Sequence, residues 1–346
     1  MSQPHASAPL SYEQAGVRYD LIDPLKVAAQ RAAAATARQL AGHGMTEVSA
    51  SRGESAYVVD AGPFYLASIV ECLGSKALVA DEMKRLSGRC HYAAIAQDTI
   101  AMAVNDLVTV GATPLVVQAY WAAGGSEWFA DAARAQALVA GWQAACERCG
   151  VAWGGGETPA LAGIVEAGRI DLAAACTGIV RPKSRLSLGE ALGPGDAIVL
   201  LASSGIHANG LSLARKLAER LPQGYLTEVA PGLTYGEALL TPTVLYPPVT
   251  EALAAAGVPV HYAANITGHG WRKLLRHPRA FTYRIDTVPP VPPVLGFIAR
   301  EAGRTVDIAA ALGIPALQAG TVEAGEKRLR ILPLGLEWGD DALQLR

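Results

Sequence analysis

Basic tracts, paired cysteines and long apolar runs are what this chain lacks, and each absence removes a class of function. Its 29 Lys and Arg are offset by 31 Asp and Glu, for a formal net charge of −2, and they form no run. That balance argues against binding nucleic acid or an anionic membrane through bulk charge. The longest apolar stretches, such as AIVLLA at 197–202, fall far short of the roughly 20 residues a bilayer span needs. The opening MSQPHASAPLSYEQAG has no basic region leading into an apolar core, so it is not a secretory leader and the expected location is cytoplasmic. Five cysteines in 346 residues do not make a disulfide framework. Cys146 and Cys149 form a C-x-x-C, but no second Cys or His pair stands at zinc spacing. They continue the helical face of Leu138, Trp142 and Ala145, which makes packing the better reading.

What is present is an apolar, turn-rich chain with 36 Gly and 21 Pro, long enough for two domains. Strands alternate with helices on both sides of the polar, Pro- and Gly-rich stretch RPKSRLSLGEALGPGD, which reads as a boundary. The expected fold class is α/β, in places α+β, with domains at 1–180 and 181–346. Helices are expected at Pro24–Gly42, Gln97–Val110, Ala130–Cys149, 211–221, Thr250–Ala256 and Leu295–Ala302. Strands are expected in Ser55–Glu71, at 112–122, at 151–153 before a glycine turn, at Ile170–Val180, at 196–202, at VPVHYA (258–263) and near AFTYRID.

Three stretches carry residues suited to chemistry. In QDTIAMAVNDLVTVGATPL, Asp98 and Asn105 lie seven positions apart, within ~20° of one line on a helix, and Asp106 borders that face. A solvated stripe with Asp98 as helix cap is one reading. It suits Asn105 and Asp106 poorly, because Met102, Val104, Leu107, Val108 and Val110 surround them, and a buried carboxylate needs a partner such as a hard cation carrying phosphates. In VAWGGGETPALAG, Glu157 and Thr158 follow a glycine run that reads either as a plain turn or as backbone open to a ligand. In ASSGIHANGLSLARKL, Ser203, Ser204, His207 and Asn209 surround a helix start, where free N–H groups favour an anion. There His207 adds charge or shuttles a proton; in the plainer alternative Asn209 caps the helix and His207 is a surface residue.

These stretches, in this order, resemble the phosphoribosylformylglycinamidine cyclo-ligase (aminoimidazole ribonucleotide synthetase) family. The likeness runs from SYEQAGV through DTIAMAVNDLVTVGATPL, GGGETPALAG, DLAAACTGIV and SSGIHANGLSLARKL to NITGHGWRKLLR. It implies a homodimer in which N-terminal strands of both subunits join in a β-barrel, with ATP and Mg²⁺ bound by residues 1–180 and a phosphate loop in 181–346. The implied reaction phosphorylates an amide oxygen of formylglycinamidine ribonucleotide, after which a nitrogen of the same substrate displaces phosphate and closes the imidazole ring. Positioning and charge neutralisation would carry most of such a transfer.

Carried over by the resemblance, the cofactor set is Gly74, Lys76, Asp98, Asn105, Asp106, Gly155, Gly156, Glu157 and Thr158. The metal set is Glu71, Asp98 and Asn105, and the phosphate loop is Ser203, Ser204, Gly205, His207, Asn209 and Gly210. His207, Lys76 and Asp106 are the catalytic candidates. On this assignment Asp98→Ala loses Mg-ATP binding and keeps the fold. The chain also departs from the family. ECLGSK stands where D-G-V-G-T-K is usual, so Glu71 replaces an aspartate, and NITGHG has Asn265 for a His and His269 for a glycine. Val244 stands in for an arginine, and two Gly-rich segments have no counterpart. A divergent paralogue using ATP on another amide or carbonyl, or a non-catalytic nucleotide-binding homologue, therefore stands beside the purine reaction. No Cys precedes Cys72 and the chain ends LQLR, unlike selenophosphate synthetases and the carbamoyl-dehydrating hydrogenase maturation proteins.

Overall fold

The computed structural model describes residues 18–201, 203–288, 290–302 and 317–339. Helix α1 (Tyr19–Thr36) contains Pro24 rather than starting at it, and it tightens into a 3-10 turn, Ala37–His43, ended by Gly44 at φ 66°. Then come β1 (Thr46–Glu47), β2 (Tyr57–Asp60), β3 (Tyr65–Cys72), α2 (Lys76–Ser87) and α3 (Tyr92–Val108). They are followed by β4 (Thr113–Ala123), α4 (Glu127–Ala130), α5 (Ala132–Cys149), β5 (Ala152–Glu157) and β6 (Ile170–Val180). The six strands form one sheet in the order β1-β2-β3-β6-β4-β5, antiparallel except for the β4–β5 pair. The sheet is open, and among the described residues the expected barrel does not close.

The glycines of VAWGGGE lie within β5, where the sequence reading put a turn. A Cβ at Gly156 would sit 2.0 Å from the Ala119 carbonyl oxygen, so only glycine lets the edge strand approach β4 this closely.

The second part contains β7 (Ala197–Leu200), α6 (Leu211–Ala218), β8 (Glu228–Ala230), β9 (Leu233–Thr234), α7 (Tyr235–Leu239) and α8 (Pro247–Ala255). It ends with β10 (Phe281–Ile285), α9 (Pro293–Glu301), β11 (Leu317–Ala324), β12 (Arg328–Ile331) and β13 (Leu336–Trp338). Its main sheet runs β13-β12-β10-β11-β7. The expected strand at 258–263 is absent. Val258 and Val260 stay exposed, and the segment is held by a Gly189 N–H bond to the His261 carbonyl and by a Tyr262 hydroxyl bond to Glu54 rather than by a ladder.

A small core forms within the second sheet around Trp271, Phe281, Ile285, Leu329 and Ile331. The larger core crosses between the parts, with Leu211, Tyr235, Leu295 and Ile298 joining the cluster that holds Val104, Leu107 and Trp142. Helix α3 lies in the middle of it, which is why nearly all its side chains are buried. Polar groups in such a seam have to find protein partners or a ligand. No helix among the described residues is long and apolar enough to cross a membrane.

Candidate functional site

The polar side chains of α3 lie on one stripe, as their spacing predicts, and that stripe grips the irregular segment Thr241–Tyr246. Because α3 starts at Tyr92, Asp98 lies in its second turn and is not a cap. The Asp98 Oδ1 accepts from the Thr243 backbone N–H at 2.7 Å and from its hydroxyl, and Oδ2 lies 2.8 Å from the Lys76 ammonium. Both side chains of this pair are 0 % exposed. Burial pushes the Asp98 carboxyl up and the Lys76 ammonium down, and their mutual attraction opposes both shifts. Lys76 also donates to the Thr241 carbonyl at 3.1 Å, and Gln97 to the Thr243 carbonyl at 2.6 Å. Seven residues on from Asp98, Asn105 donates to the Val244 carbonyl (2.8 Å) and accepts from the Tyr246 N–H (2.9 Å). Asp98→Ala would leave a buried lysine unpaired, so the expectation that it spares the fold does not survive this geometry.

Asp106 points elsewhere. Its Oδ1 accepts from the Asn265 amide at 2.7 Å, and it shares a charged cluster with Glu71 and Lys273. In register Glu71 pairs with Ala174, which pairs with Ala119, so Glu71 projects from the sheet face that α3 covers. Burial, then the nearby Asp106 charge, raises the Glu71 carboxyl to about 7, against the pull of Lys273, Arg276 and Lys26. Two carboxylates thus stand close enough to repel, among several cations. Among the described residues, no three acidic, His or Cys side chains stand together as a ready metal-binding group.

In the loop before α6, Gly205 and Gly210 take positive φ, and so does His207, at 56°. The Ser204 backbone N–H donates to His207 Nε2 at 3.1 Å, and the Ser204 hydroxyl donates to the Pro242 carbonyl at 2.6 Å. Burial, then the Lys76 charge, lowers His207 to about 3. It is therefore neutral and an acceptor, so it cannot supply the positive charge the sequence reading offered. Nor is it a surface residue, being 9 % exposed. The residue flanking α6 is Gly210 with no side-chain cap, while Asn209 reaches Met102 Sδ on α3 at 3.7 Å. The loop is thereby brought onto the same helix as Asp98 and Asn105.

Glu157 and Thr158 are not. Glu157 registers with Tyr120, which registers with Ala173 and Cys72, on the sheet face opposite α3. All six residues of β5 are exposed, and among the described residues the Glu157 carboxylate accepts only from the adjacent Thr158 N–H, at 3.1 Å. Gly74 is exposed at φ 71°. A separate surface cavity of about 420 Å³, touching Leu78, Arg85, Arg169, Arg215 and Tyr225, shares no residue with the seam. Its Arg85 and Arg215 sit in the last turns of α2 and α6, where a cation complements the helix dipole.

Sequence reasoning missed Gln97, Thr243 and Lys273. The signal for Lys273 was a charge between residues of an apolar turn, GWRKLLR; for Thr243 there was none.

Two α/β units joined along a polar seam, with a glycine-rich edge strand and a serine loop ahead of a helix, define an AIR-synthase-like class. Residues 53–180 match the family described as AIR synthase related protein, N-terminal domain, and residues 193–276 match the AIR synthase related protein, C-terminal domain. The fold is shared with hydrogenase maturation protein HypE in complex with ATP (TM-score 0.56, 16 % identity, 79 % of this chain and 83 % of that one). It is also shared with AaThiL complexed with AMPPCP and TMP (TM-score 0.53, 14 % identity, 82 % and 91 %).

Sequence relatives are nearer. The phosphoribosylformylglycinamidine cyclo-ligase of Nitrosococcus oceani is 36 % identical over 308 residues, 86 % of this chain and 80 % of that one. The enzyme of that name from Methanothermobacter thermautotrophicus is 36 % identical over 266 residues, 76 % and 73 %. The chain belongs to the phosphoribosylformylglycinamidine cyclo-ligase family and is an enzyme of that type.

Proposed function

We propose that this protein is an ATP-dependent cyclo-ligase that converts formylglycinamidine ribonucleotide to aminoimidazole ribonucleotide in the cytoplasm. The observation that carries the reading is the convergence on α3 of the 203–210 loop, the 241–246 segment and the Glu71–Asp106 cluster, in a chain 36 % identical to a named cyclo-ligase over 308 residues. In this reading the terminal phosphoryl group of ATP passes to the substrate amide oxygen. A nitrogen of the same molecule then attacks the activated carbon, phosphate leaves, and the ring closes.

Residue roles follow from the surroundings. The loop carrying Ser203, Ser204, Gly205, Asn209 and Gly210 holds the ribotide phosphate, and neutral His207 shapes that loop through its bond to the Ser204 N–H. Gly74, Gly155 and Gly156 give close backbone approach to the nucleotide, and Glu157 and Thr158 contact it from the exposed edge.

For Mg²⁺ the residues fit unevenly. Asp98 and Asn105 have their oxygens engaged by the 241–246 segment and Lys76, whereas Glu71 and Asp106 are neighbouring carboxylates whose mutual repulsion a hard cation would relieve. In this reading Glu71 and Asp106 would hold Mg²⁺, while Asp98 and Asn105 serve the protein's own 241–246 segment. When bound, the ion supplies neutralisation of phosphate charge. Asp106 is the catalytic candidate that faces this part of the seam, and Lys76 acts by holding Asp98.

Glu157 and the other ligands lie on opposite faces of one sheet, and this supports a homodimer in which the open sheets of two chains meet. Val70 (72 % exposed), Leu115 and Tyr120 give the open face its apolar character. Residues 1–180 would then form the nucleotide and dimer domain and 181–346 the phosphate-loop domain, with the six-stranded sheet on one side of that division and the five-stranded sheet on the other.

Pure protein incubated with the amidine ribotide, ATP and Mg²⁺ should yield ADP and the aminoimidazole. No product under conditions where a standard cyclo-ligase turns over would refute the reading. A second reading, a paralogue acting on another amide or carbonyl, is favoured by the sealed Lys76 and by Asn265 and Lys273 around Asp106. ATP binding without turnover of the ribotide would select it.

A further inference from the structure

Among the described residues only two lysines are buried, Lys76 and Lys273. Lys76 is closed against Asp98 and is not available to Asp106. Lys273 lies on the 3-10 turn Gly270–Arg276 between buried Trp271 and Leu275, and is 5 % exposed. An apolar residue would fill that space without desolvating a charge, so the ammonium needs a reason to be there.

The reason is visible in its partners. The Lys273 ammonium donates to the Asn265 carbonyl at 2.9 Å and to the Thr267 hydroxyl. Asn265 in turn donates its amide to Asp106 Oδ1 at 2.7 Å. The Asn265–His269 turn is thus held through Asn265 and Thr267, by the lysine on one side and by α3 on the other. It also contains His269 at φ 68°, a backbone conformation that side chains other than glycine avoid, so it needs outside restraint to persist. The charges of Asp106, Glu71 and Glu54 support the Lys273 cation, and that of Arg276 opposes it.

We propose that Lys273 is a positioning residue of the site: it clamps the Asn265–His269 turn and, through Asn265, fixes the Asp106 carboxylate for the reaction. It touches no substrate itself. The proposal deepens the cyclo-ligase reading and rests on it for its kinetic part, but its structural part stands alone.

The experiment compares Lys273→Met, Lys273→Arg and the milder Thr267→Val with wild type in three measurements. Backbone hydrogen exchange, read by mass spectrometry without ligand, should quicken about tenfold or more across 265–270 in Lys273→Met, with the middle of α3 unchanged. The kcat of Lys273→Met should fall about 100-fold while the KM for ATP moves by less than about threefold. Lys273→Arg should recover at least about tenfold of that loss, and Thr267→Val should shift exchange and kcat in the same direction by less. Unchanged exchange at 265–270 in a folded Lys273→Met protein overturns the clamp. Altered exchange with wild-type kcat, or an Arg variant no better than Met, overturns the positioning role. If wild type does not turn over the ribotide, the cyclo-ligase reading fails, and the exchange result still decides the clamp.

Discussion

The polar stripe of α3 and the glycine edge of β5 carry the same kinds of side chain in opposite surroundings. Asp98 and Asn105 are buried, and every oxygen they present is engaged by Lys76 or by the 243–246 backbone and hydroxyl. Glu157 is exposed and, among the described residues, bonds only to its neighbour's N–H. The stripe ties the two halves together through a segment that has no secondary structure of its own. The edge stays exposed to solvent. The same carboxylate chemistry thus serves cohesion in one place and, on the proposed function, recognition in the other, and burial decides which.

Substitutions should separate the two regions by size of effect. Asp98→Ala orphans the buried Lys76 and should cost about 3–5 kcal/mol in urea denaturation, enough to lower expression. A loss below about 1 kcal/mol would put Asp98 in the same class as the edge residues.

The acid limb of stability comes next. His207 takes up a proton near its usual 6.5 in the unfolded chain but only at about 3 in the folded one. Between these values the unfolded state binds the extra proton, so this contribution is complete above pH 6.5 and is lost as pH falls toward 3. The slope is at most about 1.4 kcal/mol per pH unit. Denaturation series at pH 6, 5 and 4 should show His207→Gln losing stability less steeply than wild type, and parallel slopes would contradict the buried neutral histidine.

Asn105→Ala removes two hydrogen bonds to the 244–246 backbone and should cost about 1–3 kcal/mol, read as a lower thermal midpoint. At the edge, Glu157→Gln should change stability by less than about 0.5 kcal/mol. The same variant should weaken binding of an ATP analogue by about tenfold in calorimetry. A stability effect as large as that of Asn105→Ala would erase the contrast.

Much of this arrangement was legible in the sequence. The sevenfold spacing of Asp98 and Asn105 placed them on one stripe because helix geometry is local. Ile170–Val180 reads as a strand and is one, since its alternating small and apolar residues suit both a covered and an open face. The partners of those polar residues were not legible. Thr243 lies 145 positions from Asp98, and nothing in PTVLYPP marks it as the receiver of a buried carboxylate. The resemblance supplied ligands for Asp98 and Asn105 because ligand and protein partners satisfy a carboxylate or an amide equally well. Likewise, the extended look of VPVHYA carries no information on whether a neighbouring strand is free to pair with it. His269 shows the reverse case: the resemblance expects glycine there, and the backbone at 269 keeps the glycine-type conformation.

The claim beneath the whole account is that the Lys76–Asp98 pair is a structural latch formed without ligand. A double-mutant cycle of Lys76→Met and Asp98→Ala, followed by urea denaturation of the ligand-free protein, tests it directly. The account predicts a coupling of about 2–3 kcal/mol, with the double variant more stable than the sum of the single losses implies. Single losses that add to within about 0.5 kcal/mol would mean the two side chains do not meet in the resting protein, and the latch would be refuted.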